Sequence, residues 1–417
     1  MDIDKTRVYI ERSESTPLDL SLREYWPKPY PKDAFLLVVP HFGRLKSLVI
    51  NGRQGLLQNL TPHLPRPIPL LRELTVDLDN AAPLVDALFN GNLPSLRSLN
   101  LARGITHLPG TNLSKLTSFE LRLSKITITQ LLNFFEGAPH LRDITLYYSI
   151  PRSSNAPPER VVSPPCLKNL TINAHLHHSI LLDHLSIPAG VSLILGAKFA
   201  GDCYPLLHFV PKTLGNLKNL LFITSVRLCL DQYRKFVRLD GPSGELYVLG
   251  YWMGGDDVLP LNHRIVRSLS RFNLSRVQKL AVTMYNPPTM HNTDESAPHF
   301  TLLRMEDLRA LTLTQSNNLP FIAALNPDQN PSKRALCPKL EELVLYVKGL
   351  ESFNIKELMS MAKGRASAGV KLWSITIISL GELMPGDTVF RLKEYVTRVN
   401  YRVEQKPPSW DGVPEVN

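Results

Sequence analysis

Pro139-His140-Leu141-Arg142-Asp143-Ile144-Thr145-Leu146 holds the spacing that decides the fold. Its apolar residues follow the order apolar-x-x-apolar-x-apolar. The same spacing stands at Leu45, Leu48, Ile50; Leu71, Leu74, Val76; Leu96, Leu99, Leu101; and Leu116, Phe119, Leu121. It follows at Leu167, Leu170, Ile172, and after a gap at Val277, Leu280, Val282; Leu308, Leu311, Leu313; Leu340, Leu343, Leu345; and Leu372, Ile375, Ile377. Successive starts lie 26, 25, 20, 25 and 26 residues apart in the early set and 31, 32 and 32 in the late set.

The last two apolar residues of each unit are two apart, so on a strand they point to one side. One strand cannot bury that side alone, whereas stacked parallel strands can. The spacing predicts leucine-rich repeats, whose unit is about 20–29 residues and longer in irregular forms. The expected fold is an α/β leucine-rich-repeat solenoid, curved, with parallel strands on the concave face and helices and loops on the convex face. Proline stands two residues before the first apolar position at Pro69, Pro94, Pro139, Pro165 and Pro338. There it ends the return segment, because it fixes φ and cannot continue a helix.

Outward from the repeats, three regions are expected. Residues 1–44 form a capping segment, with the alternating Pro17-Leu18-Asp19-Leu20-Ser21-Leu22 as a first strand. Residues 45–404 form the array, and 405–417 a frayed tail. Within the array, 200–275 is an enlarged repeat, with a hairpin formed by Phe236–Leu239, a Gly-Pro-Ser-Gly turn and Glu245–Leu249. Helices are expected over Pro83–Phe89, Thr129–Glu136 (capped by Gly137), Ile355–Lys363 and Thr388–Thr397, with a closing strand through Val399, Tyr401 and Val403. The stretches 150–165, 285–299 and 315–336 read as loops.

Composition narrows the function. The chain has 417 residues, 43% hydrophobic and 20% charged, which indicates a folded protein. Its net charge is +10, but the basic residues are scattered, as at Arg264, Arg267, Arg271 and Arg276, so no nucleic acid is expected as partner. No stretch approaches the roughly 18 apolar residues of a membrane span, and the polar start Met1–Lys5 lacks a signal core, so no membrane partner and an intracellular location, cytoplasmic or nuclear, are expected. Four distant cysteines suit a reducing compartment. His175, His177, His178 and His184 cluster without ligands to complete a metal site, and Gly254-Gly255-Asp256-Asp257 reads as a turn. No catalytic motif is present; neither an enzyme nor a cofactor or metal is expected.

The candidate site is therefore a surface. On the concave side of the strands the expected partner-binding residues are Glu73, Asp77, Asn100, Glu120, Arg122, Asp143, Tyr147, Asn173 and Tyr346. Glu73, Asp77, Glu120 and Asp143 outnumber Arg122, and this inversion of sign on a basic chain favours a basic target segment.

Tyr9-Ile10-Glu11-Arg12-Ser13 with Pro17-Leu18-Asp19-Leu20, units such as Pro139–Leu146, and the tail Leu392–Val396 to Tyr401–Val403 resemble the leucine-rich-repeat F-box proteins of mushroom-forming fungi along essentially the whole chain. The resemblance implies a substrate receptor of an SCF-type ubiquitin ligase. In that family an F-box binds a Skp-type adaptor and the repeats hold a target protein. The F-box itself is not in this sequence, and in the family pattern it would lie upstream of residue 1. The adaptor is thus expected as a partner only where an F-box precedes. Without one, the chain is expected to be a repeat scaffold uncoupled from ubiquitin.

Overall fold

The computed structural model describes residues 3–23, 32–52, 68–78, 93–103, 107–108, 113–123, 126–147, 160–173, 178–199, 210–211, 214–230, 234–252, 269–284, 296–314, 319–330, 334–347, 354–380 and 390–404. The expected helix at 83–89, the turn at 254–257, His175, His177 and the tail 405–417 lie outside them. The fold is α/β, with a long, open, mostly parallel sheet of 16 strands. The chain divides into two compact units, 1–191 with 211–216, and 192–210 with 217–417. Each unit is described by itself.

The first unit begins with helix α1 (Ile3–Ser13), strand β1 (Leu18–Arg23) and helix α2 (Lys32–Val38). Strands β2 (Leu45–Gly52), β3 (Glu73–Leu78), β4 (Ser98–Ala102), β5 (Ser118–Arg122), β6 (Asp143–Tyr147) and β7 (Asn169–Asn173) follow. Each strand from β1 to β7 pairs in parallel with the next in chain order. The register aligns the repeated apolar residues into rows. Leu48, Leu74, Leu99, Phe119, Ile144 and Leu170 form one row, and Ile50, Val76, Leu101, Leu121, Leu146 and Ile172 the next. These twelve side chains are 0–2% exposed. Full burial of each contributes about 1.5–3 kcal/mol. Leu18, Leu20 and Leu22 of β1 extend the rows, so the expected first strand is present.

Helix α3 (Ile128–Gly137) covers this core. Its Phe134 and Phe135 rings lie 4.3 and 6.5 Å from that of Phe119. Thr127 starts it with a capping box: the Gln130 N–H donates to the Thr127 hydroxyl and the Thr127 N–H donates to Gln130 Oε1. Gly137 is the helix's last residue and Ala138 the cap, one position later than the sequence suggests.

The prolines serve a tighter purpose than ending a helix. The N–H of Leu71 donates to Ile68 C=O, Leu96 to Leu93, Leu141 to Ala138, Leu167 to Pro164 and Leu340 to Cys337. Pro69, Pro94, Pro139, Pro165 and Pro338 are thus the second residue of a β-turn, where φ near −65° is already in place.

The second unit holds β8 (Val191–Phe199, whose first residue belongs to the first unit), β9 (Ser225–Leu230), β10 (Arg234–Gly241), β11 (Gly244–Trp252), β12 (Lys279–Met284), β13 (Ala310–Thr314), β14 (Glu342–Val347), β15 (Ser374–Leu380) and β16 (Arg398–Glu404). Their order is β8-β11-β10-β9-β12-β13-β14-β15-β16. β10 is antiparallel to both β9 and β11, so the expected hairpin is present, inserted between β8 and β9. Gly241 faces Gly244 across its turn, and a Cβ there would stand 1.8 Å from Phe222 O, which leaves glycine as the only fit. From β9 through β12 to β16 the pairing is parallel, with buried rows through Val226, Leu280, Leu311, Leu343 and Ile375.

Helices α5 (Ser296–Leu302) and α6 (Leu319–Leu325) form within stretches that read as loops, while α7 (Ile355–Ser367) extends the expected helix. In the first unit, α4 (His178–Asp183) follows β7. α7 buries Arg365 completely, and its Nη1 and Nη2 donate to Leu336 O at 2.8 Å and Cys337 O at 3.0 Å. Of the expected helix 388–397, residues 390–392 are helical and 393–395 form a turn, while 388–389 lie outside the described residues.

Candidate partner-binding face

Behind the buried rows of the first unit, the alternate residues of each strand form three rows on the other side. Ser47, Glu73, Ser98, Ser118, Asp143 and Asn169 make the first, Val49, Thr75, Asn100, Glu120, Thr145 and Thr171 the second, and Asn51, Asp77, Ala102, Arg122, Tyr147 and Asn173 the third. Eight of the nine expected site residues stand here. Tyr346 belongs to the second unit, on β14 beside Thr314 and Ile378. Burial raises its pKa, Glu404 adds to that, and Arg402 opposes it.

The charges on this face are tied to one another. Glu120 accepts from Asn100 Nδ2 at 2.8 Å and pairs with Arg122. The Arg122 guanidinium sits 5.0 Å from the centre of the Tyr147 ring. Asp143 accepts from Asn169 Nδ2 at 2.6 Å. Asp77 pairs with Arg103 Nε at 2.6 Å. Arg103 follows β4 with φ +46, a left-handed turn that breaks the strand's alternation and returns a cation to the face. Sequence spacing missed it for that reason. Four carboxylates therefore meet two guanidiniums rather than one, and the acidic excess on these residues falls from three charges to two.

Asn173 departs from its expected role. At 2% exposure it is buried, and a partner approaching the face does not reach it. Glu73 is exposed, and Asp77, Asn100, Glu120, Asp143 and Tyr147 are half-buried. The result is a surface of partly shielded hydrogen-bonding groups held in fixed geometry by cross-strand bonds, backed by rigid apolar rows. Such a surface can read shape and charge in a partner.

The second unit uses the same side of its hairpin differently. Phe236 and Tyr247 stack at 5.4 Å, and with Cys229 and Leu249 form a buried cluster against Ile194. Beside it Arg238 donates to Asp240 at 2.6 Å and Glu245 at 3.0 Å, and Ser192 Oγ donates to Glu245. Burial pulls the Arg238 pKa down, but its bond and attraction to Asp240, with Glu245, outweigh this and leave it raised.

Among the described residues no group of His, Cys, Asp or Glu is placed to hold a metal ion. His184 lies against the carbonyl of Arg160 at 3.1 Å. No described helix is long and apolar enough to cross a membrane.

No protein-family model matches the chain, and no curated protein matches it. A solved structure of a protein from Bacteroides fragilis, determined by structural genomics, aligns over 80% of this chain and 75% of its own at 10% identity and a TM-score of 0.20.

Proposed function

We propose that the chain is a leucine-rich-repeat solenoid whose polar strand face binds a target protein, and that it is the target-recognition part of an F-box-type substrate receptor of an SCF ubiquitin ligase. The observation that supports binding is the linked set Asn100, Glu120, Arg122 and Tyr147 on adjacent strands, half-open to solvent over a buried core. Repeat stacks present such faces to partners. The ligase setting rests on the resemblance of Tyr9–Ser13, Pro17–Leu20 and the tail to the fungal F-box proteins. A Skp-type adaptor joins only through an F-box preceding these residues.

The test uses a target found by proximity labelling in fungal cells. Glu120→Lys with Asp143→Lys should slow association, because charges on such a face act mainly on the encounter rate. Glu136→Lys on α3, the covering side, should leave it unchanged. Loss with Glu136→Lys alone would refute the face. For ligase coupling, the 417-residue chain alone should not capture purified Skp-type adaptor, whereas the chain with its preceding F-box should. Failure of the latter would leave a scaffold.

A further inference from the structure

The basic residues of the first unit look scattered only along the chain. Each core-starting leucine is followed by one residue at the leading edge of its strand: Lys46, Arg72, Arg97, Thr117, Arg142 and Lys168. The backbone stacks these six one upon the next. Arg72 N–H donates to Lys46 O, Arg97 to Arg72, Thr117 to Arg97, Arg142 to Thr117 and Lys168 to Arg142, all within 2.8–2.9 Å. Five of the six carry a positive charge, and the Thr117 rung has exposed Lys115 two residues before it. Among the described residues none of the five forms an ion pair. The matching positions of the second unit are Thr224, Gln278, Arg309, Glu341 and Trp373, with a single cation and one acid.

We propose that this ladder is a docking edge for an acidic, helical polypeptide segment, on a surface separate from the polar face. Packing does not explain the charge. Where lysine or arginine stems cover apolar surface, a glutamine or methionine would cover it equally. Neighbouring strands are about 4.8 Å apart, so the cations repel one another and their fields add along roughly 24 Å. Glu73 and Asp143, next to Arg72 and Arg142, offset part of this, though Asp143 is held by Asn169. Spacing selects the partner. An acid once per helical turn recurs about every 5.4 Å, close to the rung distance. Same-side acids on an extended peptide recur about every 6.6 Å and drift out of step within a few rungs. Single-stranded nucleic acid needs aromatic platforms for its bases, and the six rungs supply none. On a duplex, one phosphate chain winds about two-thirds of a turn over that span, away from a single row of side chains.

The test is titration of the whole chain at low salt with a capped alanine-based peptide of about 20 residues, long enough to hold a helix, with glutamates alternately three and four residues apart so that about one falls on the same face per turn. A peptide of the same composition with its glutamates clustered, an oligothymidylate and a duplex of similar length are the comparison probes. The spaced peptide should bind best, and weaken as the Debye length shortens to roughly 8 Å at physiological salt. Arg97→Glu with Arg142→Glu should cost about tenfold or more, equivalent to ~1.4 kcal/mol. The neutral pair Arg97→Gln with Arg142→Gln should cost less, and Lys363→Glu with Lys371→Glu in the second unit nothing. Circular dichroism melts confirm that each variant folds. No binding of the spaced peptide, an undiminished affinity in the Arg97 and Arg142 variants, or tighter binding of either nucleic acid would overturn the proposal.

Discussion

The two units share a strand register but use its third outward row in opposite ways. In the first unit Asp77, Arg122 and Tyr147 stand in that row, half-open to water and tied by ion pairs and a ring contact, with only Ala102 and Asn173 buried. In the second, Leu249, Phe236, Cys229, Thr283, Thr314 and Ile378 are 0–6% exposed, while Tyr346 between Thr314 and Ile378 is half-buried and Arg402 beside Ile378 is exposed. Backbone pairing therefore fixes where a side chain sits, and residue type decides whether that place faces water. The second unit also buries polar groups at a cost. The hydroxyls of Thr283 and Thr314, on adjacent strands, are buried with no hydrogen-bond partner among the described residues, and Arg365 is enclosed against two carbonyls. Each buried unmet polar group costs about 1–3 kcal/mol.

Three tests sharpen this contrast. The largest effect belongs to the rows both units share. Leu99→Ala should destabilise by about 2–5 kcal/mol, since a buried leucine leaves a cavity. Its neighbour Asn100→Ala removes one half-buried hydrogen bond, worth about 1 kcal/mol or less. Urea melts with equal losses for the two would break the register.

Next comes the third row. Thr314→Val removes a hydroxyl without a partner and should stabilise by about 1 kcal/mol. Thr145→Val, half-exposed on the neighbouring second row of the first unit, should change little, within about 0.5 kcal/mol. A destabilised Thr314→Val would show that its hydroxyl is satisfied.

The third is a pH effect in the second unit. Burial pushes the Cys337 thiol from 9.0 up to about 12, with Arg365 opposing. Between those values the unfolded chain releases the thiol proton and the native chain keeps it, so stability falls as pH rises. The loss attributable to Cys337 should be about 1 kcal/mol between pH 9 and 10. Arg365, lowered by burial to about 10, has the opposite sign and acts only above that pH, where the unfolded chain holds the extra proton. Cys337→Ala should flatten the alkaline slope in chemical denaturation, and an unchanged slope would mean that the thiol is not enclosed.

The sequence spoke most clearly where one period controls one row. Leu45 to Ile172 could be placed in strands because an interval of two residues has one meaning on a strand. Features that depend on a residue's neighbours in space were not legible. Arg103 reaches Asp77 through a positive φ that no spacing encodes. The cation ladder is spread over more than a hundred residues and becomes visible only once the strands stack. Helices α5 and α6 were hidden by Pro298 and Pro320, read as breakers although proline is tolerated in a first turn. Helix α1 escaped because only Thr6 of its residues is buried, so no apolar stripe marks it.

The claim on which all this rests is the alternation of β5, with Phe119 and Leu121 in the core and Ser118, Glu120 and Arg122 on the open side. A cysteine scan across these five positions, with the native cysteines replaced, measures it directly through the rate of thiol labelling under native conditions. Labelling should be fast at 118, 120 and 122 and slow at 119 and 121, rising at those two only on unfolding. Fast labelling at 119 and 121 with protection at 120 would contradict the register and, with it, the proposed partner face.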